Sequence, residues 1–165
     1  GGGQEKGRRG GTENVAGIAG FGAAAEWVLD HMASEQARLS GLRDKMEQQL
    51  AQNCAGLGII GADLPRVANT SCLSLPGVPA EKQVISLDLA GVCVSAGSAC
   101  SSGKVKSSPV LTAMGLPADI AGSAIRVSLG WRTTQEDIDA FVNAYLAMAE
   151  RLVPKDMPHA DQATG

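Results

Sequence analysis

Cys100 lies in a run of serine, glycine and alanine that covers residues 95–103, SAGSACSSG. Glycine loosens the backbone and serine solvates it, so this composition predicts a mobile loop that leaves the thiol accessible. Lys104 and Lys106 follow, and their positive charge favours the thiolate, the nucleophilic form of cysteine. The segment indicates a reactive thiol. A flexible loop with an incidental cysteine is the alternative that the segment alone leaves open.

Glycines, two adjacent arginines and the hydroxyl of Thr12 come together in residues 4–12, QEKGRRGGT. Free backbone N–H groups, guanidinium groups and a hydroxyl at the entrance to a helix are the groups that hold a phosphate. The Walker A pattern G-x-x-x-x-G-K-[ST] is absent from the chain. These residues predict an anion-binding loop, and a solvated basic arm is the alternative.

Arg126 is the one charged residue in the apolar run of residues 123–130, SAIRVSLG. A permanent charge among apolar neighbours is costly unless an anion pairs with it. A carboxylate matches the guanidinium group with two parallel hydrogen bonds, so the position indicates a site for a substrate carboxylate. The alternative is an arginine on the solvent face of a sheet.

The composition of the chain excludes several classes of function. The 165 residues carry a net charge of −3, which argues against partners held by bulk electrostatics, such as nucleic acid or an anionic membrane. No signal peptide or membrane-length apolar run is present. Four cysteines without a C-x-x-C pair favour a reducing cytoplasm, and with two histidines no metal site is expected. Cys72 and Cys93 alternate with apolar neighbours and are expected to be buried.

Periodic apolar residues predict the elements that position these groups. A helix is expected over residues 14–52, with Thr12 to Asn14 as N-cap candidates and a break near Ser40 and Gly41. Further patterns predict strands at 57–60, 70–75, 93–96 and 125–129, and helices at 81–90 and 110–114. Thr133 and Glu136 have capping-box spacing at the start of a final helix that Pro154 ends.

Strands and helices in this alternation predict an α/β fold in a chain with enough apolar residues for one core. We expect four parts: an arm over residues 1–13, a linking helix over 14–52, a small α/β domain over 53–153, and a polar tail over 154–165.

Three separated motifs, GGGQE-x-GRRGGTEN, SAGSACSSG and SAIRVSLG followed by TTQEDID, give the chain its resemblance to a known family. In order and spacing they resemble the C-terminal part of cysteine desulfurases of the NifS and IscS type. These enzymes depend on pyridoxal 5'-phosphate and have the class V aminotransferase fold. The resemblance covers residues 1 to about 152, and the length of the cysteine loop is closer to the NifS and IscS group than to the SufS group.

The resemblance implies roles for four residues. Cys100 is then the residue that takes the sulfur of L-cysteine as a persulfide and leaves alanine, and Arg126 holds the substrate carboxylate. Thr12 contacts the cofactor phosphate across the interface of a homodimer, and Asn69 has a structural role. The sulfur then passes to a scaffold or carrier protein, as in iron–sulfur cluster assembly.

One departure from the family is larger than a substitution. The family's Schiff-base lysine follows a histidine, and no lysine of this chain does so. The aspartate and histidine that contact the cofactor ring belong to the same absent region. We therefore expect a C-terminal portion that is inactive without the missing N-terminal cofactor-binding portion. A selenocysteine lyase or another class V enzyme, and a non-catalytic thiol carrier or docking domain, remain as alternatives.

Overall fold

The computed structural model describes residues 2–96 and 108–153, and the chain divides into two compact units, Gly1–Gln36 and Ala37–Gly165. The boundary between the units falls within the first helix. The helices are α1 (Val15–Asn53), α2 (Ala80–Leu89), α3 (Pro109–Ala113), α4 (Ala118–Gly122) and α5 (Gln135–Leu152). The strands are β1 (Gly58–Ile59), β2 (Thr70–Ser74), β3 (Ser95–Ala96) and β4 (Ala124–Ser128).

The first unit begins with a short 3₁₀ turn, Gln4–Gly7, that buries none of its residues. Glu5 and Lys6 adopt left-handed backbone angles there, with φ of 54° and 56°. Such angles are uncommon for residues that carry a side chain, so the turn is held against local preference. Asn14 then accepts a hydrogen bond from the N–H of Gly17 at 3.1 Å and caps α1, as the N-cap candidates predicted.

The part of α1 in the first unit has exposed apolar side chains, and Phe21 is 79% exposed. The ring of Trp27 stacks on that of His31 with centroids 4.4 Å apart, and both lie on the exposed surface. The predicted apolar stripe is therefore uncovered over this stretch. Its members are Val15, Ile18, Phe21, Val28 and Met32.

The second unit is built on a four-stranded sheet in the order β1-β2-β4-β3, with every neighbouring pair antiparallel. The predicted α/β class is confirmed, and its strands pair without parallel crossovers. The two long strands β2 and β4 lie at the centre, with Thr70 opposite Ser128 and Ser74 opposite Ala124. The short strands β1 and β3 form the two edges.

One face of the sheet packs against α5, α2 and the second-unit part of α1. The alternation in β4 places Ile125 and Val127 on this face, and Leu73 of β2 lies beside them. Removal of such side chains from water is the main driving force for the fold of this unit. The helices contribute Met46, Leu50, Leu87, Ile138, Phe141, Tyr145 and Met148 to the same core.

Buried polar groups join three of these elements. The amide of Gln83 donates to the carbonyls of Val78 and Ser123 at 2.8 and 2.7 Å, and its oxygen accepts a hydrogen bond from the Tyr145 hydroxyl at 3.4 Å. The hydroxyls of Ser123 and Ser74 lie 2.7 Å apart. Burial raises the pKa of Tyr145, so its hydroxyl remains a donor at neutral pH. The network fixes α2 and α5 against the start of β4.

A buried ion pair joins α1 to the segment before β2. Arg66 donates to both carboxylate oxygens of Glu47 at 2.7 and 2.9 Å, and both side chains are largely removed from water. Burial alone would raise the pKa of Glu47, but hydrogen bonding to Arg66 and the charges of Arg66 and Arg43 hold it below its ordinary value. Arg43 also donates to the carbonyl of Val67 at 2.7 Å.

The structure corrects four details predicted from the sequence. The capping box is formed by Thr134 and Asp137, one residue later than predicted, and α1 continues without a break at Ser40. Helix α4 was not predicted, because Ile120 is its one large apolar side chain and a single such residue shows no helical period. Cys93 is exposed where burial was expected, since it precedes β3 instead of lying in it.

Glu47→Gln is predicted to lower the free energy of unfolding of the chain by about 1.5–3 kcal/mol at pH 7, because the charge-assisted hydrogen bonds between Arg66 and the carboxylate are lost. In the unsubstituted chain the contribution of Glu47 is complete above the ordinary pKa of 4.5 and is lost as the pH falls through its lower folded-state pKa. Denaturant unfolding at pH 7 and pH 3 measures both effects. Glu150→Gln on the exposed face of α5 is the control, and an equal loss in both variants would contradict the prediction.

Candidate active site

Arg126 lies in the middle of the central strand β4, on the face of the sheet opposite the main core. The burial pattern of β4 alternates at this point, with Ile125 and Val127 buried and Arg126 and Ser128 exposed. A two-residue period of this kind places successive side chains on opposite faces. Within the described residues, Arg126 forms no hydrogen bond and no ion pair. None of residues 2–96 and 108–153 therefore occupies its guanidinium group, which is suited to bind an anion.

Two small side chains flank Arg126 on the neighbouring strands. Cys72 of β2 and Ser95 of β3 are its direct cross-strand partners. Both are half-buried, and neither carries a charge at neutral pH. Burial raises the pKa of the Cys72 thiol, although the charge of Arg126 opposes that shift. The three residues form a row across the sheet with one permanent charge at its centre.

Helices α3 and α4 cover one end of this face. Leu111 and Ala121 pack on Ala124 at the start of β4, and the half-buried Cys72 lies at the margin of the same small cluster. The cover does not bury Arg126, which is two residues further along β4. The guanidinium group therefore lies at the edge of the small apolar cluster, next to the part of the sheet face that α3 and α4 do not cover. Ligand sites commonly combine apolar side chains with a few polar groups.

The turn after β4 is held by Arg38 of α1. Its guanidinium group donates to the carbonyl oxygens of Thr133 and Trp131 at 2.7 and 3.0 Å. On the other side, the N–H of Leu129 donates to the carbonyl of Asn69 at 2.8 Å. The Asn69 amide also donates to the Leu129 carbonyl at 3.4 Å. These contacts fix the end of the strand that carries Arg126, and they agree with the structural role expected of Asn69.

Thr12 lies in the first unit, at an exposed position just before α1. Arg9 beside it donates to the carbonyl of Gly11 at 2.9 Å and pairs with Glu5 at 3.4 Å, so this arginine is engaged by its own loop. Gly11 adopts a φ of 93°, which lets the chain turn towards the helix. The loop presents a hydroxyl and backbone N–H groups, a donor set that suits a phosphate.

Neither unit by itself contains all of the predicted site residues. Cys100 lies outside the described residues, as do Lys104 and Lys106. Thr12 belongs to the first unit and Arg126 to the second, so the fold of neither unit brings the two together. No group of three metal-ligating side chains exists among residues 2–96 and 108–153, and no helix in that part of the chain has the length and apolarity to cross a membrane.

Two features of the site were not predicted from the sequence: the hydrogen bonds of Arg38 to the turn after β4, and the position of Cys72 directly opposite Arg126. The register of β2 against β4 was the information required for Cys72, and one sequence carries no direct signal for it. Arg38 is 95 residues from its partner Thr133, so no local pattern marks the contact.

Comparison with known proteins places these features in a family. The family model of Aminotransferase class-V matches residues 2–141. A cysteine desulfurase of Nostoc sp. is 41% identical over 152 residues, and one of Cereibacter sphaeroides is 42% identical over 154 residues. Each alignment covers 92% of this chain and 38% of the relative, so the chain spans well under half the length of these relatives.

Solved structures agree with these relatives. A NifS-like protein from Rickettsia africae superposes with a TM-score of 0.80 at 35% identity, over 91% of this chain and 39% of that one. The cysteine desulfurase CsdA from Escherichia coli superposes with a TM-score of 0.65 at 26% identity, over 88% of this chain and 33% of that one.

Arg38→Ala is predicted to lower the free energy of unfolding of the chain by about 1.5 kcal/mol, because hydrogen bonds from a charged group to the half-buried carbonyl of Thr133 and the exposed carbonyl of Trp131 are lost. Arg132→Ala is the matched control, since Arg132 lies in the same turn and, within the part of the chain that the structure describes, its guanidinium group lies over the ring of Trp131, 5.7 Å from the ring centroid. Denaturant unfolding of both variants measures the difference. Equal stability of the two would contradict a structural role for Arg38.

Proposed function

This chain belongs to the aminotransferase class-V family, and we propose that it is part of a cysteine desulfurase that removes sulfur from L-cysteine. The observation that carries the proposal is the guanidinium of Arg126, exposed on the central strand β4 and unpaired within the described residues, in a chain about 41% identical to curated cysteine desulfurases. In the complete enzyme the products are alanine and a persulfide on Cys100. The chain by itself is expected to be inactive.

Arg126 binds the carboxylate of cysteine in this proposal. A guanidinium group forms two parallel hydrogen bonds with a carboxylate, which fixes the orientation of the bound amino acid as well as its position. No side chain among the described residues competes for these donors. The central strand and the Arg38 contacts after it hold the backbone of Arg126 in place, as precise ligand binding requires.

Cys100 is the sulfur acceptor in the same proposal. Its thiolate attacks the sulfur of the bound cysteine, so that a sulfur–sulfur bond forms and the carbon–sulfur bond of the substrate breaks. The electron pair of the broken bond stays with the substrate carbon, which takes up a proton to become the methyl group of alanine. The outer sulfur atom of the persulfide then passes to an acceptor thiol on a scaffold or carrier protein, and the Cys100 thiolate is restored.

Pyridoxal 5'-phosphate is the cofactor that the family implies, and the residues of this chain fit one end of it. The hydroxyl of Thr12 and the N–H groups of its glycine loop suit the phosphate, whereas no lysine here follows a histidine in the way the family's Schiff-base lysine does. When bound, the cofactor supplies an electron sink that makes bonds at the substrate's reacting carbons labile. Thr12 would contribute to a site in a homodimer, in a reducing compartment such as the cytoplasm.

A second candidate function is a thiol carrier or docking domain without catalysis. Such a domain would use the thiol of Cys100 and would need no Schiff-base lysine. A selenocysteine lyase shares the fold and the carboxylate site, and kinetics with cysteine and selenocysteine on the complete enzyme separate it from a desulfurase.

Arg126→Ala in the complete enzyme is predicted to lower kcat/KM for cysteine by about 10- to 100-fold, because a charge-assisted pair with the carboxylate is lost. Arg126→Lys retains the charge without the two-pronged geometry and is expected to recover only part of the loss. Steady-state kinetics give the values, and circular dichroism checks the fold. A normal kcat/KM in the alanine variant would remove Arg126 from substrate binding.

In the complete enzyme, Cys100→Ser is predicted to abolish persulfide formation while cysteine binding persists, because a serine hydroxyl cannot take up the sulfur. Cys93→Ser is the control, since Cys93 is an exposed thiol that shortly precedes the segment of Cys100 in the sequence. Mass spectrometry after incubation with cysteine detects the added sulfur. Persulfide on the Cys100→Ser variant would overturn the assignment.

A further inference from the structure

The hydrogen bonds around β2 determine how its side chains face β4. The N–H of Leu129 donates to the Asn69 carbonyl at 2.8 Å, and the N–H of Ile60 donates to the Cys72 carbonyl at 2.9 Å. In antiparallel sheets, hydrogen-bonded and non-hydrogen-bonded residue pairs alternate. Counting from the pair of Asn69 and Leu129, Cys72 and Arg126 form a non-hydrogen-bonded pair. The hydrogen bond from Ile60 agrees with this assignment, because it shows that the carbonyl of Cys72 points to β1 and away from β4.

Side chains approach each other most closely in a non-hydrogen-bonded pair. Cβ atoms of directly opposite residues lie about 4.5–5.5 Å apart, so the residue at position 72 is the nearest cross-strand neighbour of the Arg126 side chain on β2. Ser95 is opposite Arg126 on β3, but in a hydrogen-bonded pair, in which the two side chains lie somewhat farther apart. A carboxylate at either position would be within reach of the guanidinium group and would pair with it.

The residues present there do not compete for the guanidinium group. A protonated thiol is a weak hydrogen-bond acceptor and a serine hydroxyl is uncharged, so neither neutralises the charge. The Cys72 thiol stays protonated at neutral pH because burial raises its pKa. Its half-buried position beside Ile60 and Leu116 also accepts a side chain of this size without disturbing the cluster.

We propose that Cys72 and Ser95 are specificity-determining residues that keep the Arg126 guanidinium free of an internal partner and therefore available to a carboxylate substrate. The inference rests on the proposed function, because it takes Arg126 as the group that binds the substrate carboxylate. Both residues act through Arg126 and do not take part in the chemistry. They set affinity for the carboxylate, not the rate of sulfur transfer.

Cys72→Asp and Cys72→Asn differ in charge and hardly in shape, which makes them a matched pair. In the complete enzyme, Cys72→Asp is expected to raise KM for cysteine about tenfold above that of Cys72→Asn, with similar kcat at saturating substrate. Ser95→Asp and Ser95→Asn repeat the comparison from the other strand. This second pair decides the question if a substitution at position 72 prevents folding.

A measurement independent of activity uses the 165-residue chain itself. In the Cys72→Asp variant, NMR titration is expected to give the introduced carboxyl a pKa lower than in the Cys72→Asp/Arg126→Ala double variant. Equal pKa values would show that the two positions do not interact and would overturn the inference.

The kinetic outcomes distinguish a failure of the proposed function from a failure of the inference about Cys72 and Ser95. If Arg126→Ala leaves kcat/KM for cysteine unchanged, Arg126 does not bind the substrate carboxylate, and that part of the proposed function fails together with the inference. If Arg126→Ala raises KM but the aspartate and asparagine variants have equal KM values at both positions, only the inference fails. An equal rise of KM in the aspartate and asparagine variants would assign the two residues to packing, and would also overturn it.

Discussion

The antiparallel pairing of β2 with β4 is the constraint on which the candidate site depends. It fixes which side chains of β4 enter the core and which remain in contact with solvent, because a shift of one residue would exchange the two sets. With Ile125 and Val127 committed to the core, Arg126 is obliged to lie on the opposite face. The apolar core thus determines the direction of the one permanent charge in the strand.

Charged side chains of α1 secure one end of this strand pair, where β2 begins and β4 ends. Glu47 binds Arg66 before β2, Arg43 binds the carbonyl of Val67, and Arg38 binds the turn that follows β4. A helix that holds the loop before one strand and the turn after its neighbour limits sliding between the two strands. The site is therefore built on regular elements and on short, well-bonded turns.

The sequence was informative where a local pattern reports directly on structure. The alternation of residues 124–128 and the period of α5 predicted those elements closely, and the placement of Arg126 on a strand followed from its apolar neighbours. Contacts that depend on strand register or on residues far apart in the chain could not be read in this way. The pairing of Cys72 with Arg126 and the contact of Arg38 with Thr133 are of that kind. The exposure of Cys93 was missed because apolar neighbours do not show where a strand begins.

The separation of the two central strands along the chain also bears on how the second unit folds. Asn69 and Leu129, which meet at the end of the strand pair, are 60 residues apart. Contacts between distant residues form late, since the entropy lost in closing a long loop precedes any gain from the contact. Helices α1 and α5 need only local contacts and can form early. The surface that carries Arg126 therefore depends on contacts between distant parts of the chain, and a nascent chain acquires it only after β4 has been synthesised.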